Sequence, residues 1–160
     1  EDVAKIRTLE TEIVTIGAAA KKLEGEIIVV QPGEKLTVKD IPIETVPAYN
    51  LTKFRSPGEP FHPRDAGHVG FILTVEGVRI YHSGDADVIP EMEEIEADVA
   101  LLPVSGTYVM TVAEAVEAAK IIQPKVAVPM HVGRGIGGME MLAQFKQAAP
   151  LPVEVLELEQ

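Results

Sequence analysis

Apolar and polar positions along this chain fall into short blocks whose period changes near residue 98. Glu1-Asp2-Val3-Ala4-Lys5-Ile6 runs from acidic to basic, an order that suits a first helical turn. Glu12-Ile13-Val14-Thr15-Ile16 predicts a strand ending at Gly17, Ala18 to Leu23 a short helix stopped by Gly25, and Ile27 to Val30 a strand closed by Pro32-Gly33. Leu36-Thr37-Val38 and Ile43-Glu44-Thr45-Val46 alternate apolar and polar, as half-buried antiparallel strands do. Residues 49 to 67, with Asn50, Pro57, Gly58, Pro60, His62 and Pro63, read as a long loop. Loops of that length inside a domain are uncommon and often functional. Val69 to Val75 and Val78 to Tyr81 flank Glu76-Gly77, a hairpin signal.

From Asp98 onward, continuous apolar runs alternate with helical patterns. Val99 to Val104, Val126 to Met130 and Val153 to Leu158 predict buried strands. Thr111 to Ile122 and Met139 to Ala148 predict helices, the first opened by the capping-box pair Thr111 and Glu114 and ended by Pro124. This β-α-β-α-β order places the strands in a sheet covered by helices. Met139, Met141, Leu142 and Phe145 read as core.

The 160 residues suit one domain. Lys and Arg number 14 against 25 Asp and Glu, a formal net charge of −11. So acidic a chain repels phosphate backbones and anionic membrane surfaces, and nucleic acid is an unfavourable partner. Three Tyr, four Phe and no Trp leave little material for a base-stacking platform. No apolar run approaches the roughly 20 residues that span a bilayer. The absence of Cys removes disulfides, thiolate metal ligands and a cysteine nucleophile, and fits the cytoplasm.

The candidate chemistry lies at strand ends. His82 and Asp85 stand in Tyr81-His82-Ser83-Gly84-Asp85-Ala86-Asp87 directly after one strand, and His131 follows another in Val128-Pro129-Met130-His131. Strand ends are where α/β proteins place ligand-binding groups, and an imidazole with a carboxylate is a divalent-metal pair. On spacing alone this pair competes with ordinary capping and packing roles. His68 reads as structural, Asp87 as a cap for a short helix near Glu91, and Glu91, Glu93, Glu94 and Glu96 as a solvated face. Ser83 and Ser105 have no base near them in sequence.

Three segments, taken in order, resemble the metallo-β-lactamase superfamily. Arg79-Ile80-Tyr81-His82-Ser83-Gly84-Asp85-Ala86-Asp87 is similar to its strand followed by Gly-Asp. Asp98 to Val104 with Gly106-Thr107-Tyr108-Val109-Met110-Thr111 looks like the next strand and substrate-side loop of its small metal-dependent hydrolases. Lys125 to His131 looks like the strand bearing its last ligand histidine. The resemblance implies an α/β fold with mixed sheets, a four-layer αβ/βα sandwich, and a dinuclear site at one edge of the sheets. It implies Asp85 as the carboxylate shared by two divalent ions, zinc first and manganese or iron next, and His131 as a terminal ligand. It further implies a metal-bound water as nucleophile and a small-molecule substrate with an ester, amide or phosphoester-type bond.

The superfamily's His-x-His-x-Asp-His signature occurs nowhere in these residues. With Glu rather than Met at position 1, the expectation is the C-terminal major part, 1–160, of an N-terminally incomplete fold, inactive in isolation. A further ligand is expected near the end of the Ile43 to Ala48 strand. Asn50 stands there, and His62 could instead reach in from the loop; His82 is a third, more peripheral site candidate. Two other functions compete. A metal-free binding or assembly module would bury its uncovered sheet face against a second copy, a homo-oligomer, or against another segment. A dinucleotide-binding unit would use the G-x-G-x-x-G spacing of Gly133 to Gly138, with Glu154 or Glu157 at the ribose.

Overall fold

The computed structural model describes residues 2–133 and 135–156. Glu1, Arg134, Glu157 and Leu158, on which parts of the predicted elements and of the glycine-rich loop fall, lie outside the described residues. The chain order is α1 (Asp2–Ile6), β1 (Glu12–Ile16), α2 (Gly17–Ala20), β2 (Glu26–Val30), β3 (Lys35–Val38), β4 (Ile41–Pro47), β5 (Phe54–Ser56) and β6 (Glu59–Pro60). It continues with a 3-10 turn (Arg64–Ala66), β7 (Val69–Val75), β8 (Val78–His82), a 3-10 turn (Pro90–Glu94), β9 (Val99–Pro103), α3 (Val112–Ile122), β10 (Val126–Met130) and α4 (Glu140–Ala148).

Six strands form one mixed sheet in the order β10-β9-β8-β7-β4-β3. The alternating segments of the first half pair antiparallel, β3 with β4, β4 with β7 and β7 with β8. The continuous apolar strands pair parallel, β8 with β9 and β9 with β10. The Glu76-Gly77 turn takes left-handed φ at both residues, 51° and 79°, as a two-residue hairpin loop requires.

Register sorts the sheet into two unlike faces. Ile72, Tyr81, Ala100 and Ala127 line up across β7, β8, β9 and β10 and are buried, packed with Ala115, Ala118 and Ala119 of α3 and Phe145 of α4. The opposite row, Leu73, Ile80, Val99 and Val126, is only half-buried. On that side stands the two-stranded parallel pair β1-β2, tied to the sheet where Thr45 of β4 donates its hydroxyl to the carbonyl of Gln31 at 2.5 Å. Of the expected four layers, the described residues show a helix layer of α3 and α4, the six-stranded sheet and, for the second sheet, the two strands β1 and β2.

Local expectations differ in four places. The helix foreseen over residues 18–23 is α2, Gly17–Ala20, which starts one residue earlier and gives way to a turn at Lys21 and Lys22 ahead of Gly25. Of the final strand, the described residues show a single parallel bridge between Val153 and Ala127. The loop 49–67 carries a small hairpin, β5-β6. Met139 is exposed at the residue before α4, while Leu142 and Phe145 are buried as expected.

Candidate metal centre

Strand β8 delivers Asp85 to the carboxyl end of the sheet. Ser83 N–H donates to the carbonyl of Leu101 at 3.2 Å, extending the β8-β9 alignment by one residue. Gly84 then turns the chain with φ +65°, a conformation side chains disfavour, and a Cβ there would stand 3.1 Å from the carbonyl oxygen of Val69. Asp85 is left partly exposed, its side chain 45% accessible.

Two imidazoles reach that carboxylate from opposite directions in sequence. Nε2 of His62 lies 3.5 Å from Oδ2 of Asp85, and Nε2 of His131 lies 3.6 Å from Oδ1. Each oxygen therefore faces its own ring. Burial pushes the His62 imidazole below the usual histidine range, against the pull of the Asp85 carboxylate.

His62 is anchored through the chain's single asparagine. Oδ1 of Asn50 accepts from the His62 backbone N–H at 2.8 Å and lies 2.9 Å from its Nδ1. Nδ2 of Asn50 donates to Oδ1 of Asp87 at 3.1 Å and to the Tyr108 carbonyl at 2.9 Å. Asp87, 1% exposed, accepts at its other oxygen from the N–H groups of Leu51 and Thr52 at 2.7 and 2.6 Å and from the Thr52 hydroxyl at 3.1 Å. The Lys53 ammonium stands 3.8 Å from Asp87 and 2.7 Å from Glu114, which closes the capping box of α3 with Thr111. Loop, strand end and helix start are one polar network.

His131 is held more simply. Its Nδ1 lies 2.9 Å from the hydroxyl of Ser105, and its own backbone sits at φ +64°, sparsely populated for a residue with a side chain. Gly137 packs against Ser105 so closely that a Cβ would fall 2.8 Å from the Ser105 Cβ.

The remaining candidates separate. Asn50 is no ligand here, because its amide oxygen is committed to His62. His82 stays outside the pair of rings; its Nδ1 accepts from the Gly84 N–H at 3.1 Å, so it shapes the turn before Asp85. Asp87 caps loop residues 51 and 52, whereas the 3-10 turn at Pro90–Glu94 begins at Ile89 without a side-chain cap. Glu91 is not merely a solvated residue: it accepts from the Tyr49 hydroxyl at 2.9 Å and from Arg64 at 2.6 Å. Ser105, with no base near it in sequence, has the His131 ring beside it in space, 26 positions away. His68, which reads as structural in the sequence, has its ring centre 5.4 Å from that of His62; both line a cavity of 250 Å³ with Thr15, Ala48, Phe71 and Asp85. The glycine-rich loop closes on itself, Ile136 N–H donating to Gly133 at 2.9 Å and Gly133 N–H to Gly137 at 3.3 Å. Those N–H groups are not free to cradle a phosphate.

The donor set suits a divalent ion. Zinc bonds of about 2.0–2.2 Å put neighbouring tetrahedral ligands about 3.3–3.6 Å apart, and the two nitrogen–oxygen separations of 3.5 and 3.6 Å lie within that spacing. Among the described residues no group of three or more His, Cys, Asp or Glu is assembled to hold a metal ion by itself. The fit is that of two ligand pairs sharing one carboxylate.

A sheet with helices on one face, a strand pair on the other and this cluster at the strand ends defines the metallo-β-lactamase fold. Residues 10–131 match the family described as the beta-lactamase superfamily domain, and the chain belongs to it. It is 32% identical over 146 residues, 87% of its length, to a UPF0173 metal-dependent hydrolase of Methanoculleus marisnigri, and spans 64% of that protein. It is 48% identical over 66 residues to a namesake from Archaeoglobus fulgidus, covering 39% of this chain and 29% of the relative. The chain thus spans less than two thirds of these relatives. A solved structure of a proposed metal-dependent hydrolase from Parabacteroides distasonis superposes with a TM-score of 0.81 at 35% identity, over 98% of this chain and 69% of that one. No helix among the described residues is long and apolar enough to cross a membrane.

Proposed function

We propose that this chain carries part of the active site of a metal-dependent hydrolase acting on an ester, amide or phosphoester-type bond of a small molecule. The observation that supports the reading is the pair of Nε2 atoms at 3.5 and 3.6 Å from the two oxygens of one carboxylate. Asp85 would supply the negative charge shared between two cation positions, with His62 offering one ligand to the first and His131 one to the second. Bound there, a divalent ion such as zinc, manganese or iron would lower the pKa of a coordinated water and polarise the bond under attack. The chain's own residues keep that geometry: Asn50 and Ser105 fix the two rings, and Gly84 aims the carboxylate. Phe61 and Tyr108 pack edge to face with ring centres 4.8 Å apart, and the Tyr108 carbonyl accepts from the Asn50 amide.

Elemental analysis of the purified protein, with hydrolysis of small nitrophenyl esters and phosphodiesters before and after a chelator, tests the proposal. The expected result, in protein that also carries the His-x-His-x-Asp-His signature, is bound zinc, manganese or iron and chelator-sensitive turnover. A folded protein that takes up none of these ions would overturn it. That outcome would favour a metal-free binding or assembly module, which the half-buried apolar row Leu73, Ile80, Val99 and Val126 supports.

A further inference from the structure

We infer that the buried Asn50–Asp87 couple is a tautomer lock, forcing the proton of the neutral His62 ring onto Nδ1 so that the Nε2 lone pair faces Asp85. The inference concerns a positioning role and rests on the metal-site reading for its purpose, not for its geometry. An amide side chain has two possible orientations, and here the surroundings admit one. Reversing Asn50 would set its NH2 against the backbone N–H of His62, donor against donor. It would also set its oxygen against Oδ1 of Asp87 and the carbonyl of Tyr108, acceptor against acceptor twice. Asn50 is 5% exposed and water cannot relieve such conflicts cheaply, since each unmatched buried polar group costs about 1–3 kcal/mol. Asp87 cannot yield either, because its other oxygen is held by three donors from Leu51 and Thr52.

With the amide oxygen fixed toward His62, the ring nitrogen 2.9 Å away must bring the hydrogen. A bare Nδ1 would place lone pair against lone pair. The neutral ring therefore carries its proton on Nδ1, and Nε2 meets the Asp85 carboxylate at 3.5 Å with no proton between them. That juxtaposition is repulsive by itself and becomes favourable when a cation lies between the two atoms. Outer partners that fix a ligand's tautomer in this way commonly change metal affinity by about 10- to 100-fold when removed. The His131 ring has no equivalent lock, since a serine hydroxyl can donate or accept.

Long-range nitrogen–proton correlation spectra of the histidine rings, recorded on the metal-free protein near neutral pH, read the tautomer directly. The expected wild-type result is a His62 ring protonated at Nδ1. In Asn50→Ala the ring should move toward the Nε2-protonated form that free imidazole prefers, with zinc affinity in a calorimetric titration falling about 10- to 100-fold. A wild-type ring protonated at Nε2, or a folded Asn50→Ala protein with the Nδ1 tautomer unchanged, would overturn the lock. Should Asn50→Ala not fold, the wild-type spectrum still decides. An Nδ1-protonated His62 in a wild-type protein that binds no zinc, manganese or iron supports the lock and overturns the hydrolase reading, so the two can fail separately.

Discussion

His62 and His131 meet the same carboxylate at nearly equal distances, yet the molecule secures them by opposite means. His62 comes from a long loop with no sheet partner of its own, and its position is bought by buried polar bonds through Asn50, Asp87, Lys53 and Glu114. His131 comes from the end of a strand inside the parallel part of the sheet, and backbone pairing already places it; a single hydroxyl then orients the ring. A side chain on a rigid element needs few further contacts, while one on a loop needs a network to offset the entropy of ordering it.

The largest expected effect erases the comparison by removing what both arms share. Asp85→Ala should lower zinc affinity more than about 100-fold, beyond what outer partners contribute, while circular dichroism shows the fold intact. Unchanged metal content in that variant would sink the assignment. Next comes the His62 arm. Asp87→Ala removes a buried carboxylate and leaves the N–H groups of Leu51 and Thr52, the Asn50 amide and the Lys53 ammonium short of a partner. Urea denaturation should record a loss of about 3 kcal/mol.

On the His131 arm, Ser105→Ala deletes one hydrogen bond and leaves the backbone alone, so the same measurement should show about 1 kcal/mol. Equal losses at Asp87 and Ser105 would remove the contrast between the arms. The smallest effect is a pH dependence confined to the His62 network. Burial raises the Glu114 pKa, but the Lys53 ammonium and the Thr111 bonds outweigh it and hold the carboxyl below its ordinary value of 4.5. A group depressed on folding adds stability above its unfolded pKa and loses it as pH falls through the lower folded value. Lys53→Met should therefore flatten the decline of the urea midpoint below pH 4.5, whereas Ser105→Ala should not alter its slope.

The legible parts of the fold were those written in local chemistry. The Glu76-Gly77 hairpin, the Thr111–Glu114 capping box and the apolar runs of β9 and β10 each need only a few neighbouring residues to be read. Of the candidate site, Gly84-Asp85 and His131 were readable because both follow strands. The His62 arm was not. Residues 49–67 have no period to follow, and the choice between Asn50 and His62 turns on contacts across 12 and 37 positions. Asp87 illustrates the same limit: next to a short helix in sequence it suggests a cap, yet in space its nearest donors belong to Leu51 and Thr52.

By itself the sequence determined the order of strands and helices, the parallel or antiparallel habit of each half, and the residue types able to bind a cation at two strand ends. Those properties follow from side-chain alternation, turn residues and capping, which act within a few residues. Tertiary structure decided which imidazole faces which oxygen of Asp85, which groups hold those rings, and that Asn50 orients a neighbouring ring. The physical reason is directional: a hydrogen bond or a ligand pair depends on distance and angle between groups far apart in the chain, and only the packed sheet and its loops fix those.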